Sequence, residues 1–356
     1  MPKIAIDISP IYDGNSVRGV GYYTDNLVKS LQQEIKINPD YKNWSIKLIK
    51  KTTSIKSGKY DLVHYPFFDP FKLTLLLDKY IPTVVTVHDL IPLQFKTHFP
   101  VGIKGNLKWL IQKSKLKKVS KIITVSNYSK NVINQIIKYP LSNIFTTHLA
   151  ADSSFKVINS SKELQFIKDK YHLPNKFVLF IGDINWNKNI PNLVKACLKF
   201  KYPLVIVGSS ATSKNIPNHP WTKDIRWLQS LNSPDLIFTG FVPNEELSYL
   251  YNLATVYCQP SFAEGFGLPL IQAMQSGCPV AFSQDSCLPE IMDNSGISFN
   301  PNSVTSISSA IKQYWNNQKL RDKYSQLGLS RAKLFKWSFT ARKTLAVYKL
   351  ALINEK

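Results

Sequence analysis

The sequence predicts an α/β protein built from two doubly wound parallel sheets. Three observations carry this prediction: the length of 356 residues, short apolar runs separated by helix-length segments, and glycine-bearing turns directly after several of those runs. Such a chain exceeds one ordinary small domain and fits two of about 150 to 200 residues, each able to bury its own core. In the first half, strand-like runs recur at residues 3–9, 44–50, 61–65, 82–88, 121–125 and 144–150. The second half repeats the rhythm at 177–182, 204–208, 236–240, 255–259, 279–283 and 296–299. Several runs are continuously apolar, as strands covered on both faces are.

Between the halves, residues 152–175 lack strong strand signals and contain the polar segments SSKE and LPN, which suits a linker. The domains are therefore expected at 1–170 and 171–337. The chain reads as helical from residue 303, and its last helix carries Ala341, Leu345, Tyr348 and Leu352 at helical spacing.

Composition excludes some classes and leaves one question open. No apolar run approaches the ~18 residues needed to cross a bilayer, and the opening MPKIAIDIS is too short and polar for a signal-peptide core. A cytoplasmic protein is expected. Cys197, Cys258, Cys278 and Cys287 have no metal-ligand spacing and read as buried or free thiols. The net charge of +22 is unevenly spread, with no acidic residue between Asp89 and Asp152. There Lys104, Lys108, Lys113, Lys115, Lys117, Lys118 and Lys121 interleave with Leu107, Trp109, Leu110, Ile111, Leu116 and Val119. This is either a basic amphipathic face for an anionic membrane surface, peripheral on its inner side, or a solvated helix face. Nucleic acid ranks last, because no recognisable binding motif accompanies the charge.

The densest local chemistry is PSFAEGFGLPLIQAMQSGCPVAFSQDSCLPE, residues 260–290. A buried run ends at Cys258, a polar loop carries Ser261 and Glu264, and Gly265 and Gly267 flank Phe266 ahead of an apolar helix pattern that begins at Leu268. Glycines allow close backbone approach, and the unpaired N–H groups of a first helical turn form an anion site. Gln272 is the next polar position on that side.

This stretch resembles the E-G-F-G-L-P-x-x-E-A-M-x-x-G-x-P-V signature of retaining glycosyltransferases of family 4, which have the GT-B architecture of two Rossmann-like domains facing a cleft. It departs from the signature at Gln272, where the family has a second glutamate. The resemblance implies that Glu264 faces the donor sugar and that Gln272 stands at the ribose contact. It extends to most of the chain. The segment RGVGYYT resembles the family's R-G-x-G-x-Y-T, implying that Gly19 and Gly21 approach the donor diphosphate and sugar. TVHDL resembles T-x-H-D, implying that His88 reaches the donor sugar while Asp89 orients the loop. In ITVSNYSK, Ser126 is a candidate cleft hydroxyl and Ser129 a candidate helix cap. FIGDINWNKNIPNL resembles V-G-x-x-x-x-R-K-N-x-x-x-L, implying that Lys188 binds the diphosphate. Asn187 replaces the arginine, a bidentate fork lost, with Arg18 a substitute base. A lysine at a helix start is disfavoured by the dipole, which itself argues for an anionic ligand. IFTGFVPNEELSYLYNLA implies that Gly240 and Val242 meet the nucleotide base, whereas Leu250 and Tyr251 read as core.

The expected function is transfer of a hexose, mannose first, from a nucleotide diphosphate sugar to a hydroxyl of a glycan or lipid-linked acceptor. No metal or other cofactor is expected, since the family is metal-independent and a D-x-D pattern is absent. The departing phosphate would take the acceptor proton. By resemblance the last helix, 338–356, crosses back to the first domain. A non-catalytic sugar-nucleotide-binding or scaffold protein of the same fold is the alternative. Epimerase or phosphorylase activity is disfavoured by the glycine, H-D and E-G-F-G-L set.

Overall fold

The computed structural model describes residues 1–13, 19–50 and 58–353; Arg18 lies outside them. The chain divides into two compact units. The first comprises Met1–Lys96, Pro100–Ala150 and Lys336–Lys356, and the second Thr97–Phe99 and Ala151–Phe335.

In the first unit, strands β1 (Lys3–Asp7), β2 (Ser45–Ile49), β3 (Leu62–Tyr65), β4 (Thr83–Thr86), β5 (Lys121–Thr124) and β6 (Ile144–Thr146) form one parallel sheet in the order β2-β1-β3-β4-β5-β6. Every residue of β3, β4 and β5 is buried, which explains why these runs read as apolar without alternation. The edge strand β2 exposes Lys47 and Leu48.

The last helix, Trp337–Ile353, belongs to this unit. Thr340, Ala341, Thr344, Leu345, Val347, Tyr348 and Ala351 form its buried side. Three polar contacts fix its register. Thr340 Oγ1 donates to His148 O at 2.6 Å, Arg342 Nε donates to Glu34 Oε1 at 2.8 Å, and the Tyr348 hydroxyl lies 2.7 Å from His64 Nδ1.

The second unit contains β7 (Val178–Ile181), β8 (Leu204–Val207), β9 (Leu236–Gly240), β10 (Val256–Gln259), β11 (Val280–Ser283) and β12 (Ile297–Phe299), again all parallel, in the order β12-β11-β10-β7-β8-β9. The chain builds outward from β7 to β9, then returns to place β10 on the other side of β7. Strand order thus reverses between β7 and β10. Residues 151–175 lie in this unit and include the helix Ser161–Lys170, capped by Ser160 on the Glu163 N–H. All four cysteines are buried and unpaired with each other.

Leu345→Ala removes a fully buried side chain from the last helix. It should lower unfolding stability by about 2–5 kcal/mol, read as a fall in denaturant midpoint; an unchanged midpoint would show that the helix contributes no packing to the first unit.

Candidate active site

Where strand order reverses in an open parallel sheet, the loops leaving the two central strands diverge and leave a crevice at their carboxyl ends. In the second unit those strands are β7 and β10. The loop after β7 carries Asn187 and Lys188, and the loop after β10 carries Ser261 and Glu264. The backbone pins the two loops together: Phe262 N donates to Asn187 O at 2.8 Å, and Asn187 Nδ2 donates to Ala263 O at 2.9 Å. Asn189, in the left-handed region at φ 55, donates from Nδ2 to both Pro260 O and Pro301 O. Asn187 is therefore buried as a fastener of the Glu264 loop, with an amide hydrogen engaged inside the protein.

Three donors converge on one carboxylate oxygen. Glu264 Oε1 accepts from Lys188 Nζ at 2.7 Å, Ser261 Oγ at 2.7 Å and Gln259 Nε2 at 2.8 Å. None of the three falls on Oε2. Side-chain exposure is 18% for Lys188 and 9% for Glu264, so the pair sits largely out of water, where its attraction is little screened. The lysine at a helix start is thus answered by Glu264, not by a free surface charge awaiting an anion, which corrects the argument drawn from the dipole. Behind the pair, Gln259 donates to Ser261 Oγ at 2.7 Å and accepts from the Tyr257 hydroxyl. Beneath the glutamate backbone, Glu264 N donates to Ser286 Oγ at 2.9 Å, and Ser286 Oγ and Cys287 Sγ donate to Glu264 O at 2.8 Å and 3.2 Å. Gln259 and Ser286 were not singled out in the sequence. A glutamine ending the strand-like run 255–259, directly before Pro260, was the signal available for Gln259.

Past Glu264 the chain runs through Gly265 and Phe266 to Gly267, which precedes the helix Leu268–Gln275. Gly267 has φ +89, and a Cβ there would meet Leu288 Cδ2 at 2.9 Å, so both backbone conformation and space demand glycine. Phe266 is buried with its ring edge-on to Phe335. Gln272 is buried and accepts from the Tyr251 hydroxyl at 3.2 Å. The Tyr251 ring in turn meets Tyr257 edge-on at 5.4 Å, so a buried tyrosine pair links Gln272 to Gln259, which donates to Glu264. Tyr251 and Leu250 are core, as read. Gly240 ends β9 at φ +70 with its carbonyl accepting from Gly208 N, and Val242 is buried.

In the first unit, His88 follows β4. Its Nε2 lies 3.0 Å from Pro66 O. A carbonyl only accepts, so the neutral ring carries its proton on Nε2 and keeps an acceptor at Nδ1. Burial holds its pKa down to about 4, the Pro66 bond opposing only in part. The Tyr23 ring stands edge-on at 4.6 Å, and the Tyr23 hydroxyl lies 3.2 Å from Thr86 Oγ1. Thr86 Oγ1 lies 2.8 Å from Nε2 of His64, whose pKa burial lowers to about 3 and whose Nδ1 meets Tyr348. Asp89 Oδ1 accepts from Ile91 N at 3.1 Å, so it orients the loop. Ser126 Oγ accepts from Ser129 N at 3.1 Å, so the cap of the helix Asn127–Ile137 is Ser126 and not Ser129. Gly19 and Gly21 lie inside the helix Gly19–Ile37 and not in a loop before it, with open space at the Gly19 Cβ position.

Among the described residues, no group of three or more His, Cys, Asp or Glu side chains is placed to hold a metal ion, and no helix is long and apolar enough to cross a membrane.

Two doubly wound parallel-sheet units joined in one chain make the GT-B architecture. The fold is shared with sucrose-phosphate synthase from Thermosynechococcus elongatus, at a TM-score of 0.74, 18% identity and 98% coverage of each chain. It is also shared with Anabaena HepE solved with UDP-glucose, at a TM-score of 0.72 and 13% identity, covering 98% of this chain and 100% of that one. The model for glycosyl transferases group 1 matches residues 161–331, and that for Glycosyltransferase Family 4 matches residues 28–155. Glycosyltransferase models thus match most of both units. The chain's relatives include the Escherichia coli O-antigen chain mannosyltransferase B, 34% identical over 64% of this chain and 60% of the relative. The Escherichia coli serotype-specific mannosyltransferase WbdA is 29% identical over 73% of this chain. These matches span 60% and 32% of the two relatives' own lengths.

Breaking the ion pair from one side leaves a charge largely buried, whereas removing both charges does not. Lys188→Met should destabilise by no more than about 3–5 kcal/mol, and Lys188→Met with Glu264→Gln by clearly less; equal losses in the two variants would show the pair to be uncoupled. His88, with its pKa lowered to about 4, should stay neutral from pH 8 to about 5. Proton uptake by the unfolded chain below the ordinary histidine value near 6.5 should then erode stability as pH falls. Ring ¹⁵N shifts of His88 that moved near pH 6.5 would contradict this.

Proposed function

We propose that the chain is a retaining glycosyltransferase that moves a hexose, mannose in the reading its relatives favour, from a nucleotide diphosphate sugar to a hydroxyl of a glycan or lipid-linked acceptor. The observation that carries this is the Lys188–Glu264 pair at the switch point of the second sheet, next to a glycine-flanked helix start. An incoming diphosphate competes with Glu264 for the Lys188 ammonium. The backbone N–H groups of Gly265, Phe266, Gly267 and Leu268 meet the same anion. Released from part of its pairing, Glu264 accepts hydrogen bonds from the sugar hydroxyls, with Ser261 and Gln259 keeping its carboxylate in place.

Lys188 and the loop amides stabilise the charge growing on the leaving diphosphate, an electrostatic contribution of the oxyanion-hole kind. The bond between the anomeric carbon and the phosphate oxygen breaks. The acceptor oxygen bonds to that carbon on the same face, and its proton passes to the departing phosphate oxygen. His88 offers Nδ1 to a donor-sugar hydroxyl, with Gly19, Gly21 and Ser126 on the same unit as further donor contacts. Gly240 and Val242 receive the base, Gln272 the ribose, and Asn187 holds the loop. The reaction needs no resident metal, and the location is cytoplasmic. The names of the mannosyltransferase relatives support the sugar and a polysaccharide acceptor.

Non-catalytic donor binding is favoured by one observation: at both departures from the family pattern, Asn187 and Gln272, the substituted side chain bonds within the protein.

Thermal stabilisation against a panel of nucleotide diphosphate sugars, in EDTA, should single out one donor, because a ligand bound only to the folded state stabilises it. Turnover of that donor separates the two readings. Glu264→Gln should cut transfer by about 10²–10³-fold; full activity would remove Glu264 from the site. Gln272→Glu should change donor affinity, and an unchanged affinity would place the ribose elsewhere.

A further inference from the structure

The helix Gly102–Leu116 lies in the longest acid-free interval of the chain, between Asp89 and Asp152, and presents an apolar stripe to solvent. Its inner side is fixed to the first unit. Trp109, Gln112 and Leu116 are buried, Gln112 Nε2 donates to Lys72 O at 2.5 Å and to Thr74 Oγ1 at 2.7 Å, and Lys115 Nζ donates to Leu75 O at 2.8 Å. Opposite, Ile103, Leu107, Leu110 and Ile111 are exposed by 89%, 59%, 63% and 41%. At 3.6 residues per turn these four fall within about 100° of the circumference, centred away from Trp109 and Leu116. Lys104 and Lys108 border the stripe on one side, and Lys117, just past the helix end, on the other. Scattered exposed apolar side chains are ordinary, but four in one stripe between rows of lysines are not.

We propose that this helix seats the protein on an anionic lipid bilayer, lying in the interface plane with Ile103, Leu107, Leu110 and Ile111 among the acyl-chain boundary and Lys104, Lys108 and Lys117 on the headgroup phosphates. Charge complementarity selects this occupant. The interval from Asp89 to Asp152 has no carboxylate to repel a negative surface, and a chain of net charge +22 opposes its own association through the same face. A nucleic-acid backbone would use the lysines and leave the stripe in water.

The test is co-sedimentation of the full chain with phosphatidylcholine vesicles and with phosphatidylcholine vesicles containing phosphatidylglycerol. Binding should be confined to the anionic vesicles and weaken with salt. Lys104→Ser with Lys108→Ser, and separately Leu107→Gln with Leu110→Gln, should each weaken it about tenfold or more. All four positions are exposed, so melting curves should match wild type and exclude unfolding as the cause. The proposal fails if neither vesicle binds, if both bind alike, or if the leucine changes leave binding intact. It fails too if sedimentation velocity shows a stable dimer that the leucine changes dissociate without any vesicle binding, or if duplex DNA binds in a salt-dependent, leucine-independent way while vesicles do not.

Discussion

The second unit's crevice depends on one oxygen atom. Glu264 Oε1 gathers an ammonium, a hydroxyl and a carboxamide hydrogen, and in doing so ties the loop after β7 to the loop after β10. A largely buried carboxylate needs its three donors as partners, and a largely buried ammonium needs the carboxylate in return. The surrounding residues enforce this mutual dependence. Asn187 and Asn189 fasten the backbones of the two loops, Ser286 and Cys287 hold the glutamate's own peptide, and Gln259 is braced by Tyr257. The site is preorganised in the physical sense that no side chain in this set can move without leaving another unsatisfied.

The first unit has a different polar core. Tyr348, His64, Thr86 and Tyr23 form a buried chain of contacts ending at the edge of the His88 ring. Burial keeps both histidines neutral, so they act there as hydrogen-bonding groups and not as charges. The orientation of His88 is thereby linked to the last helix of the chain, far from it in sequence.

The fold was largely legible, because strands buried on both faces must be apolar along their whole length. All twelve runs read as strands became strands, with ends differing by a residue or a few. What escaped was what depends on partners distant in sequence. Lys188 looked like a cation misplaced at a helix start because Glu264, its partner, stands 76 positions away. Ser129 read as the helix cap and Ser126 as a cleft hydroxyl, yet Ser126 Oγ accepts from the Ser129 N–H and is itself the cap. Gly19 and Gly21 resembled a glycine loop ahead of a helix, yet the helix begins at Gly19 itself. Residues 152–175 read as a connector by polarity, although the Lys156 and Ile158 N–H groups donate to the side chains of Ser248 and Asn252 of the second unit.

The first unit is assembled from two stretches separated in sequence by the second unit, since its sheet comes from residues 3–146 while Trp337–Ile353 supplies the buried side on which His64 and Glu34 rely. During synthesis, therefore, the usual order in which an amino-terminal domain folds first cannot be completed here. The second unit has its whole sequence available while the first still lacks a wall, because the helix Trp337–Ile353 follows residues 151–335 in the chain and completes a sheet that precedes them.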